Sequence, residues 1–147
     1  MYPTPIPGRA SIDPSPGSKS LVVIRNVTLS TMSDKIHVDA ILDTGATHCI
    51  VPPNVAEVLG FRKGNRLGVH KYNVVGGMKR SADRHCLEHV KVGTARAHRI
   101  SFLVDNFGSE FRFFMLLGLS FISKFMMTVN FDNNLILFRS GKVSSQP

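Results

Sequence analysis

The sequence predicts a mostly β domain with one or two short helices. Three observations carry that reading. The apolar residues fall in short runs rich in Val, Ile, Leu and Phe, turn-forming residues punctuate those runs, and the run from Ile36 to Leu42 alternates apolar with polar side chains. Its 147 residues, 43% hydrophobic and 19% charged, fit one globular domain and are too few for two full ones. A chain of this size buries roughly 68–70% of its unfolded surface, so it needs neither metal nor disulfides to hold a core.

Five of the eight prolines lie at Pro3, Pro5, Pro7, Pro14 and Pro16, so residues 1–18 are expected to form a flexible Pro-rich arm. The folded domain is expected over 19–140 and a polar C-terminal tail over 141–147. Within the domain, strands are expected at Leu21 to Leu29 and Ile36 to Leu42. Further strand candidates are Cys49 to Val51, Val69 to Val75, Leu87 to Val92, Ile100 to Val104, Phe113 to Leu117, Met126 to Val129 and Leu135 to Phe138. Pro52 to Leu59, closed by Gly60, has proline in a first turn and glycine past the end, the signature of a short helix. Leu119 to Phe125 is a second helical candidate, and Asp132, Asn133 and Asn134 predict a hairpin turn.

The net charge of +8 is concentrated in one place. Residues 62–99 carry ten Lys and Arg against two acidic residues, while the flanking segments are near balance. Such a field attracts nucleic acid, anionic lipid or acidic peptides. No aromatic interleaving accompanies it, so the segment reads as a solvated face and nucleic acid is disfavoured as a partner. No apolar run approaches the ~18 residues of a membrane span. Two cysteines and no apolar leader suit a reducing compartment, so the expected location is intracellular and cytoplasmic. His85, Cys86 and His89, with His48 and Cys49 elsewhere, invite a metal reading. On a strand His85 and His89 would lie roughly 13 Å apart with Cys86 on the other face, so no metal site is expected.

Chemistry concentrates at Asp43, Thr44 and Gly45. They follow an apolar strand directly and precede Ala46 and Thr47, which places a carboxylate on a tight loop between buried segments. Downstream comes a second signature, Leu116-Leu117-Gly118, after an apolar strand and before a possible helix. Between the two lies the glycine turn Val75-Gly76-Gly77.

In order and spacing these residues resemble the retropepsin-like aspartic peptidases, the family of the retroviral proteases and their cellular relatives. The resemblance also takes in Ala40-Ile41-Leu42 before the aspartate and the closing pattern Val129-Asn130-Phe131-Asp132 to Leu135-Ile136-Leu137. It implies an acid-protease fold closed by homodimerisation, and hydrolysis of peptide bonds in a peptide or protein substrate without a cofactor. By the same resemblance Asp43 is the catalytic carboxylate, Thr44 hydrogen-bonds across the dimer interface, and Gly45 shapes the cleft floor. Val75, Gly76 and Gly77 would lie at the tip of a flap, and Leu116, Leu117 and Gly118 would pack beside the catalytic loop. Viral members carry arginine and Asn or Asp where this chain has Leu119 and Ser120, so their ion-pair network is not expected here.

An argument from chemistry stands beside the resemblance. Aspartic proteolysis uses two adjacent carboxylates that share a proton, and this chain has one Asp-Thr-Gly, so a second copy must supply the other. The competing reading is a catalytically silent dimeric domain on the same fold, used to bind protein or nucleic acid.

Overall fold

Alternating burial organises the longest strands. In the computed structural model, which describes residues 10–12, 21–73 and 76–140, β2 (Val22–Ser30) and β3 (Lys35–Leu42) form an antiparallel hairpin. Val27, Leu29, Val38 and Ala40 point inward, and Thr28, Ser30, Lys35 and His37 point outward. Within the arm expected at 1–18, a short β1 (Ala10–Ile12) pairs with the first residues of β2. The rest of that arm, Val75 and the 141–147 tail lie outside the described residues.

The chain continues through β4 (Cys49–Val51) and helix α1 (Pro53–Val58). A proline opens the helix where no backbone N–H is needed, and the Gly60 and Phe61 amides close it by donating to Glu57 and Ala56 carbonyls. Next come β5 (Gly68–Asn73), β6 (Lys79–Val92) and β7 (Ala95–Val104), an antiparallel meander. Strand β8 (Phe114–Leu117) runs into the four-residue helix α2 (Leu119–Ile122). That helix is shorter than the expected Leu119 to Phe125, because Phe125 begins β9 (Phe125–Asn130). The Asp132 to Asn134 turn then leads into β10 (Leu135–Ser140), as the turn residues predict.

Eight strands form one sheet in the order β1-β2-β3-β8-β4-β7-β6-β5. An added pairing of β2 with β6 curls it back on itself into a barrel-like shape. Ile24, Leu29, Leu87, Ile100, Phe102 and Met115 fill the interior, each worth roughly 1.5–3 kcal/mol on burial. The separate β9–β10 hairpin is anchored by Ile136 and Phe138, with Phe138 edge-on to Phe121 of α2 at 5.5 Å between ring centroids.

The topology has one unusual feature. β8 inserts between β3 and β4, pairing parallel to β3 and antiparallel to β4 at Ile50↔Leu116. The segment that joins β3 to β4 must therefore arch over the end of β8. That segment is 43–48.

Candidate active site

Asp43 stands where β3 runs out. Its backbone N–H donates to the Leu117 carbonyl at 3.0 Å, the last rung of the β3–β8 ladder, which fixes where the strand stops and the loop starts. The loop then tightens on itself. Gly45 N–H donates to Asp43 Oδ1 at 3.0 Å, and Ala46 N–H donates to the Asp43 carbonyl at 3.2 Å. A Cβ at position 45 would stand 3.3 Å from the same Oδ1, so glycine keeps space beside the carboxylate. Asp43 is half-buried, while Thr44 and Gly45 are exposed.

Gly118 holds this arch against β8. Leu119 N–H donates to the Ala46 carbonyl at 2.8 Å, and a Cβ on Gly118 would come within 2.3 Å of the His48 carbonyl oxygen and 2.8 Å of that of Ala46. Two backbones cross here at a distance only glycine permits. Leu117 and Met115 are fully buried beneath the crossing, and Leu116 turns toward the cleft.

Ser120, which sequence reasoning treated only as a departure from viral relatives, proves to be structural. Its hydroxyl accepts from Cys49 N–H at 3.0 Å and donates to the Ser101 carbonyl at 2.8 Å, tying α2 to β4 and β7. Cys49 itself is buried, and desolvation pushes its thiol above the ordinary range, so it packs as a small apolar residue.

Over Asp43 lies a cleft of about 780 Å³, within the size range of small-molecule and peptide sites. Asp43, Gly45 and Leu116 line its floor, Ile50, Leu103 and Phe107 one side, and His70, Tyr72 and Asn73 of β5 the other. Asp43 is the only carboxylate among these lining residues. The β5–β6 hairpin thus overhangs the carboxylate, with Gly76 and Gly77 in its turn at φ of +96° and +78°, values that favour glycine. The ion pair from Arg80 to Asp105 ties the hairpin, one rung from its turn, to the residue that follows β7.

Two histidines bridge floor and hairpin. The His48 ring lies 4.6 Å from that of His70, whose ring stacks in turn on Tyr72 at 6.1 Å. Burial holds His48 below the usual imidazole range, and the nearby His70 and Arg84 push it the same way. Sequence reasoning noticed His48 only as a possible metal ligand. The β5 alternation sets His70 and Tyr72 on one face, but no local pattern brings that face to His48. Among the described residues no three His, Cys, Asp or Glu side chains converge as metal ligands.

Residues 29–124 match the family model described as "gag-polyprotein putative aspartyl protease". The chain belongs to this aspartyl protease family. The match spans the Asp43 loop, the hairpin and Gly118. The fold of this family member is similar to that in a crystal structure of a retropepsin-like aspartic protease from Rickettsia conorii. The two align with a TM-score of 0.60 at 18% identity, over 80% of this chain and 81% of that one. No curated protein matches the sequence.

Proposed function

We propose that this protein is an aspartic endopeptidase that works as a homodimer, with the Asp43 carboxylates of two copies sharing one cleft. The observation that carries the reading is a lone carboxylate on a rigid loop at the floor of an open cleft, beneath a glycine-turned hairpin. Amide hydrolysis by carboxylates needs a pair. One takes a proton from water as the oxygen attacks the carbonyl carbon, while the protonated partner hydrogen-bonds the carbonyl oxygen. The departing amine then leaves with a proton. Two-fold pairing supplies the second Asp43, and the exposed Thr44 beside it is the residue best placed to hydrogen-bond across that axis. Because two close carboxylates hold one proton between them, activity is expected to be bell-shaped in pH.

The hairpin supports the same reading. His70, Tyr72 and Asn73 face the cleft from above, so a peptide lying on Asp43 would be covered and its carbonyl shielded from bulk water. The test is Asp43→Asn, assayed on a diverse peptide library across mildly acidic pH. Cleavage is expected to fall about 100-fold to 10,000-fold while folding and self-association persist. Cleavage equal to the parent's would overturn the mechanism.

A further inference from the structure

The cleft over Asp43 has sides of different chemistry. Ile50, Leu103 and Phe107 are apolar, whereas His48 of the loop meets His70 of β5 with 4.6 Å between ring centroids. Strand pairing adds a cation to the histidine side. Arg84 of β6 is the cross-strand partner of Gly68 in β5 and of Leu103 in β7, and such partners project to one face of a sheet. Leu103 lines the cleft, and Gly68 lies two residues before His70 on the same strand, so all three share that face. Because Gly68 has no side chain, the guanidinium can lie across it: Nη2 is 4.0 Å from where a Cβ would stand. The imidazole of His48 registers its presence. Burial, then His70, then Arg84 hold that ring below its usual range.

Arg84 differs from the other cations nearby. Arg62 and Lys63 are exposed, and Arg66 and Arg80 are matched to Asp83 and Asp105. Arg84 is half-buried, and among the described residues it makes no ion pair, not even with Asp43. A partly desolvated cation without a counter-ion is destabilising until an anion is brought to it. The place from which an anion can come is the cleft.

We propose that His48, His70 and Arg84 form a specificity subsite for one acidic side chain of the substrate, aspartate or glutamate. The inference rests on the function proposed above in so far as it takes the occupant of the cleft to be a peptide. Arg84 is set back from the cleft lining, so the two imidazoles donate to the carboxylate and Arg84 supplies the charge. With His48 held neutral, the fixed charge of the subsite is that of one guanidinium. That matches a single carboxylate and would leave a phosphate dianion uncompensated beside Asp43. The apolar side then takes an uncharged neighbour in the same peptide.

The probes are peptides of about eight residues with Phe-Leu at the centre, carrying Glu or Gln at each flanking position in turn and Ala elsewhere. Fluorescence anisotropy on the Asp43→Asn chain measures binding apart from turnover. At one position Glu is expected to bind about tenfold more tightly than Gln. Adding Arg84→Met should bring that ratio to about one, while Arg84→Lys, which keeps the charge, should retain the larger part of it. Arg62→Gln/Lys63→Gln, exposed charges outside the cleft, should leave the ratio unchanged. The inference fails if no position distinguishes Glu from Gln, whether or not the peptides bind. It fails equally if Arg84→Lys loses the preference as fully as Arg84→Met, or if the Arg62/Lys63 variant loses it too, which would assign it to the general field of the basic segment. Cleavage by the parent chain separates this inference from the function. Cleavage with no preference for Glu removes the subsite and leaves the peptidase, whereas a Glu preference in binding with no peptide cleaved removes the peptidase and leaves an acidic-peptide site.

Discussion

Gly118 has no space for a methyl group. A Cβ there would sit 2.3 Å from the His48 carbonyl oxygen, and the obstructing atoms are backbone, which cannot swing aside as a long side chain would. Overpacking in a well-packed interior costs typically 1–3 kcal/mol, and this clash falls where three hydrogen-bonded segments meet. Gly118→Ala is expected to lose about 3 kcal/mol of stability in urea denaturation, and to depress peptide cleavage further at temperatures where it remains folded. The same neighbourhood explains Ser120. One hydroxyl satisfies the Cys49 amide and the Ser101 carbonyl at once, so a neutral side chain ties α2 to β4 and β7. Neither residue lines the cleft, and Gly118 acts on the Asp43 loop through its close approach to the Ala46 and His48 backbone.

At the scale of elements, the hairpin β5–β6 shows what a sequence reveals and what it withholds. The Asp43 loop, Gly118 and the short helices were legible because each is a local pattern: a strand end, a glycine, a capping turn. Strand β6 was not. It was expected over Leu87 to Val92 but extends from Lys79, because its first half pairs only with β5 and the chain end of β7 and needs no continuous apolar face to do so. For the same reason the His48–His70 contact was invisible, since it depends on how far the hairpin folds back over the loop. The root of that hairpin carries a pH-sensitive joint. His85 of β6 is 4% exposed and stacks on Phe61 at 4.3 Å with rings nearly parallel. Desolvation lowers its pKa from 6.5, and Asp83 opposes this only in part. The unfolded chain therefore takes up the proton first. Stability from this residue is complete above pH 6.5 and is lost as pH falls from there toward the depressed folded value. The melting temperature is expected to drop between pH 7 and pH 5, and His85→Phe, which keeps the stacked ring and removes the proton, should flatten that part of the profile. A profile unchanged by the substitution would assign the loss to other groups.

At the scale of the whole molecule, the proposed function gives one chain half of a mechanism. Everything needed to place a carboxylate is local to the chain, whereas the second carboxylate is proposed to come from another copy, and no periodicity or burial pattern in a single sequence encodes the partner's position. What the sequence does contain is the count: one Asp-Thr-Gly in a chemistry that uses two acids. That count has a kinetic consequence independent of any image of the dimer. If parent and Asp43→Asn chains are mixed at constant total concentration and allowed to exchange, random pairing leaves about one dimer in four with both aspartates when the mixture is equal. Activity should then follow the square of the parent fraction and fall to about a quarter at the midpoint. A chain acting alone would give a straight line through about one half. Dilution provides the companion measurement, because activity per chain should decline as dimers dissociate and recover on reconcentration. A linear mixing curve together with dilution-independent specific activity would remove the shared cleft and leave Asp43 to act without a twin.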